Sequence, residues 1–134
     1  METTGLDHIV LTVSNMERSR QFYGDVLGFD VQQIPADFPD PTYAGSCYFY
    51  AGPVEIFLVK HAHTATGDRF SEFRVGLDHL SFKAPSEAAL HAFADKLMAA
   101  GVDTQGVQVF AGRVQYVSFR DPDNIQLEYW LPAS

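Results

Sequence analysis

The chain has 134 residues, of which 46% are hydrophobic and 19% charged, and it carries a net charge of −8. That charge excludes the basic footprint that nucleic acid or an anionic membrane surface calls for, and no run approaches the roughly 18 apolar residues of a membrane span. The single cysteine, Cys47, excludes an internal disulfide and reads as a small buried hydrophobe.

A chain of this length makes one compact domain or two small modules sharing a core. The start, Met1-Glu2-Thr3-Thr4, has neither a basic region nor an apolar stretch. No signal peptide is expected, and the cytoplasm is the expected compartment.

Residues 5–13, GLDHIVLTV, predict a strand in which Leu6, His8, Val10 and Thr12 share one face and Asp7, Ile9, Leu11 and Val13 the other. Ser14-Asn15-Met16-Glu17 reads as an S-x-x-E capping box. The helix it starts runs to Leu27, with Met16, Ser19, Phe22, Tyr23, Val26 and Leu27 as its buried stripe and Gly28 at its C-terminal stop. Strands are predicted over 29–34, 46–51 and 54–60, with a proline-rich loop after the first. On the last of these Glu55, Phe57 and Val59 share a face, and a carboxylate inside V-E-I-F-L-V needs a partner.

Residues 61–75 read as a linker, and its His61 and His63 as a solvated pair. The chain then repeats itself. Gly76-Leu77-Asp78-His79 matches Gly5-Leu6-Asp7-His8 letter for letter, 71 residues on, and the strand and helix patterns that follow match too. Residues 76–84 predict a strand with His79, Ser81 and Lys83 on one face. Ser86 caps a helix to Ala100, with Leu90, Phe93, Ala94, Leu97 and Met98 as its stripe. Strands over 102–109, 112–119 and 125–131 complete the copy, and the last puts Gln126, Glu128 and Trp130 on one face.

Each copy is therefore β-α-β-β-β, with a histidine in its first strand and a glutamate in its last, spaced 47 residues (His8 to Glu55) and 49 residues (His79 to Glu128). If a pseudo-twofold axis relates the copies, two imidazoles and two carboxylates converge at repeat-equivalent places. That donor set suits Zn²⁺, Ni²⁺, Mn²⁺ or Fe²⁺, and its two negative charges would balance a divalent ion. Without a cation the two carboxylates would repel.

GLDHIVLTVSNMERSRQFYGDVLGF, GLDHLSFKA and SFRDPDNIQLEYW together resemble the vicinal oxygen chelate superfamily, which includes glyoxalase I, bleomycin-resistance proteins and extradiol dioxygenases. The resemblance covers nearly the whole chain. It implies an α+β fold of two tandem βαβββ modules, 5–60 and 76–131, forming an incomplete mixed-sheet barrel, and a homodimer. The four ligand positions of glyoxalase I fall on His8, Glu55, His79 and Glu128. The positions that help hold glutathione in bacterial glyoxalase I are Thr12 and Val59 here, so glutathione hemithioacetal is not implied as the substrate. The extradiol signature wants a tyrosine where Ser118 stands.

The resemblance implies a metal-dependent lyase or isomerase acting on a small molecule with adjacent oxygens. The metal would stabilise an enediolate, and Glu128 or Glu55 would remove the proton next to a carbonyl. Phe57, Tyr116 and Trp130 are expected to line the pocket, and Lys83 to pair with a substrate anion or end its strand in solvent. The alternatives are a non-catalytic binding protein for an aromatic or cationic small molecule and an Fe(II) dioxygenase.

Overall fold

The computed structural model describes residues 1–133, and the chain divides into two compact units, Met1–Asp68 and Arg69 onward. Each unit is one α+β layer pair built on a four-stranded mixed sheet.

In the first unit β1 (His8–Thr12) runs parallel to β4 (Val54–Val59), which pairs antiparallel with β3 (Cys47–Ala51) and through it with the short β2 (Gln32–Gln33). Alternation sorts the residues as predicted. Leu11, Ile56, Leu58, Cys47 and Phe49 are buried, together with Phe22 and Tyr23 from the helix; His8, Val10 and Thr12 face away. Burying side chains of this size stabilises the unit by roughly 1.5–3 kcal/mol each.

The helix departs from expectation in two places. Its cap is Asn15, whose side chain accepts from the Arg18 N–H at 3.0 Å, while Ser14 accepts from the Arg18 guanidinium instead. Both are good capping residues, and the helix starts one residue later than the S-x-x-E pattern implies. The α-helical part, α1 (Met16–Gln21), then widens into a π turn over Phe22–Val26, with the Leu27 N–H reaching the Phe22 carbonyl at 2.9 Å. The wide turn places two consecutive rings, Phe22 and Tyr23, in the core. The predicted strand over 29–34 shrinks to two residues because the Phe29 N–H bonds back to the Tyr23 carbonyl and its ring stacks on Phe49 at 4.4 Å.

The second unit repeats the order: β5 (Leu80–Lys83) parallel to β8 (Gln126–Trp130), then β7 (Val114–Arg120) and β6 (Thr104–Phe110). The helix α2 (Glu87–Ala99) is capped by Ser86 as predicted and buries Leu90, Ala94 and Leu97 against the sheet. Met98 is exposed instead of buried and reaches toward Gly106. Gly106 sits where the β6–β7 register shifts between Thr104 and Val107, at a φ of +74° that only glycine adopts without strain. Part of the predicted linker belongs to this unit. Glu72 makes a two-bond pair with Arg120 at 2.8 and 3.1 Å, and the Phe70 backbone bonds Asp123 and Asn124. Neither sheet closes on itself. Among the described residues, no helix is long and apolar enough to cross a membrane.

Candidate metal-binding half-sites

The repeated glycine sets up both histidines. Gly5 and Gly76 take the same backbone conformation, φ +144° and +149°, which side chains disfavour, and each turns the chain into its Asp-His pair. In both copies the aspartate then holds the ring beside it: His8 Nδ1 lies 2.6 Å from Asp7 Oδ1, and His79 Nδ1 lies 2.6 Å from Asp78 Oδ1. A carboxylate only accepts, so Nδ1 carries the proton and a neutral ring presents its lone pair at Nε2. A carboxylate behind a histidine in this way is the usual support of a metal ligand. Asp7 and Asp78 were not singled out above; the doubled D-H dipeptide was their signal.

In the second unit the imidazole meets a carboxylate. His79 Nε2 is 3.4 Å from Glu128 Oε2, and the Glu128 side chain is only 10% exposed. With Asp78 fixing the tautomer, a lone pair faces a carboxylate oxygen. A proton on Nε2 or a cation between the two atoms would make this approach favourable. Two donors each about 2.1 Å from one ion at a tetrahedral angle stand about 3.4 Å apart, so the donor chemistry and the spacing both fit a divalent metal. The indole N–H of Trp130 donates to the same Oε2 at 2.5 Å, and the Trp130 ring is stacked on Tyr116 at 5.0 Å and leans on Phe110 at 5.3 Å. Lys83 lies level with Trp130 across the β5–β8 pair and is exposed.

The first unit is built differently. His8 is directly level with Glu55 on the neighbouring parallel strand, and Val10 is level with Phe57. In the second unit it is Ser81, two residues beyond His79, that is level with Glu128. The two glutamates are therefore not repeat-equivalent, contrary to the sequence expectation. The equivalent of Glu128 is Phe57, and the equivalent of Glu55 is Gln126. The spacings of 47 and 49 residues in the sequence already contain this two-residue step. Where His79 meets a carboxylate, His8 meets the edge of the Phe57 ring, at 5.7 Å. Tyr43 and Tyr48 pack against the same ring at 5.5 and 6.0 Å. Glu55 instead accepts a hydrogen bond from Tyr50, level with it on β3, and its negative charge pushes the Tyr50 phenol up.

His61 and His63 lie exposed after β4, as read from the sequence, and Cys47 is buried, its thiol pushed up by burial. Among the described residues, no three His, Cys, Asp or Glu side chains gather as a metal site. What the second unit offers is a pair, His79 and Glu128.

Known proteins share this fold over nearly the whole chain. The family model for the glyoxalase/bleomycin resistance protein/dioxygenase superfamily matches residues 5–129. The chain belongs to that superfamily. The curated protein YqjT of Bacillus subtilis (strain 168) is 29% identical over 135 residues, covering 96% of this chain and 99% of YqjT. Among solved structures of the superfamily, the glyoxylase/bleomycin resistance protein/dioxygenase domain from Frankia sp. EAN1pec matches with a TM-score of 0.82 at 30% identity, over 99% of this chain and 95% of that one. A lactoylglutathione lyase from Agrobacterium tumefaciens matches with a TM-score of 0.71 over 98% and 96% of the two chains; at 17% identity it shares the superfamily fold alone.

Proposed function

We propose that this protein is a divalent-metal-dependent lyase or isomerase of the glyoxalase type, acting on a small substrate with two adjacent oxygens. The observation that carries the reading is the 3.4 Å approach of His79 Nε2 to Glu128 Oε2 with Asp78 holding the far side of the ring. His8, held in the same tautomer by Asp7, is the third donor. Glu55, level with His8, would be the fourth and would act as the base. The metal would be Zn²⁺, Ni²⁺, Mn²⁺ or Fe²⁺, and when bound it would stabilise negative charge developing on the substrate oxygens. The chain does the rest. Glu55, bonded to a tyrosine and facing no histidine nitrogen as closely as Glu128 does, takes the proton next to the carbonyl. Phe57, Tyr116 and Trp130 exclude water beside the reacting carbon, and Lys83 pairs with a substrate anion. The protein works as a cytoplasmic homodimer.

A second reading has its own support. Phe57, ringed by His8, Tyr43 and Tyr48, stands where the other copy has Glu128. An aromatic face on a chain of net charge −8 suits a non-catalytic binding protein for an aromatic or cationic small molecule.

Elemental analysis of untagged protein separates the two. About one divalent ion per chain supports the enzyme, with nickel, zinc or manganese favouring isomerisation and iron favouring the dioxygenase chemistry of the superfamily. No metal, and none taken up on addition, overturns the enzyme reading in favour of the binding protein.

A further inference from the structure

Glu128 is 7% exposed and takes two neighbours on one oxygen: His79 Nε2 at 3.4 Å and the Trp130 indole N–H at 2.5 Å. Trp130 follows Glu128 by two residues on β8, so both side chains rise from the same face of the sheet. The indole is not free to drift. Tyr116, level with it on β7, stacks on it with ring planes 23° apart, and Phe110 leans on it from the end of β6.

We infer that Trp130 is a positioning residue for the metal-binding carboxylate: its indole N–H holds Glu128 Oε2 at the one orientation in which that oxygen and His79 Nε2 share an ion. This rests on the metal-centre reading above and assigns a role that differs from pocket lining. A carboxylate oxygen has two lone-pair directions. The indole takes one, and His79 Nε2 lies 3.4 Å from the same oxygen. The indole is suited to this because it is a donor only and can neither accept a proton nor bind the metal in place of the glutamate. Without it, Glu128 is free to turn about its last torsion, which is broad and shallow. Support of this kind is usually worth about 10–100-fold in metal affinity.

The chain has one tryptophan, so the test is chemically clean. Zn²⁺ affinity is measured by competition with a chelating indicator on the full chain, for the wild type and two variants. One is Trp130→Phe. The other replaces the single tryptophan by benzothienylalanine, which keeps the ring system and its stacking on Tyr116 but puts sulfur where the N–H was. The expected result is Zn²⁺ binding about 10–100-fold weaker in both variants, with an unchanged circular dichroism spectrum. Wild-type affinity in the benzothienylalanine protein overturns the inference and leaves the metal centre standing. Absence of Zn²⁺ binding in the wild type overturns both together.

Discussion

His79 Nε2 and Glu128 Oε2 stand 3.4 Å apart, the ring held from behind by Asp78 and the carboxylate by Trp130. In the other copy, His8 has the same aspartate behind it but meets the Phe57 ring. The asymmetry separates the roles of the two glutamates.

Glu128→Gln should lower Zn²⁺ affinity by more than about 100-fold, because it removes a ligand rather than a supporting group. Glu55→Gln removes a donor too but should cost less in affinity, about 10-fold, because it is Glu128 that stands against His79 Nε2, while lowering turnover by roughly 10²–10⁴-fold, the usual range for a lost general base. Isothermal titration and steady-state kinetics on the two variants check this. Equal affinity losses would make the glutamates equivalent and sink the division of roles.

The Glu72–Arg120 pair should show in the acid limb of stability. The hydrogen bonds from Arg120 hold the Glu72 carboxyl down to about 2, against 4.5 in the unfolded chain. A carboxyl lowered on folding stabilises the fold fully above its unfolded value, and that contribution fades as pH falls toward the folded one. Glu72→Gln should therefore lower the Tm by a constant amount from pH 7 to near pH 5.5, with the difference shrinking from about pH 4.5 toward pH 2. A difference independent of pH down to 2 would assign the effect to packing.

Ser19 is fully buried on α1, and its hydroxyl is the buried side-chain oxygen among the described residues without a hydrogen-bond partner. Keeping an unsatisfied hydroxyl from water costs about 1–3 kcal/mol. Ser19→Ala should be neutral or stabilise the protein by up to about 1 kcal/mol, read from urea unfolding. A clear loss of stability would show that the hydroxyl has a partner in solution.

Gly106→Ala should destabilise by about 1–2 kcal/mol, since a side chain at φ +74° is strained and its Cβ would come within 2.7 Å of the Met98 methyl. Met98 is exposed and flexible, so adding Met98→Ala should recover little of the loss. Full recovery in the double variant would place the cost in the contact and not in the backbone.

The sequence by itself determined the local elements. The doubled GLDH, the alternating strands, the Ser86 cap and the apolar stripe of α2 are signals carried within a few residues, and each recurs in the structure. It also placed both histidines on the open faces, because period-two alternation allows only one answer once Leu11 and Leu80 face inward. Tertiary structure decided the register. β1 pairs with β4 and β5 with β8 in parallel, across a helix and two strands, and no local signal says which residues lie level. A step of two residues keeps the buried face buried, so the hydrophobic pattern cannot tell Glu55 from Phe57 as the counterpart of Glu128. The hold of Trp130 on Glu128 and of Tyr50 on Glu55 depends on the same register and on side-chain torsions, which packing sets after the strands have paired.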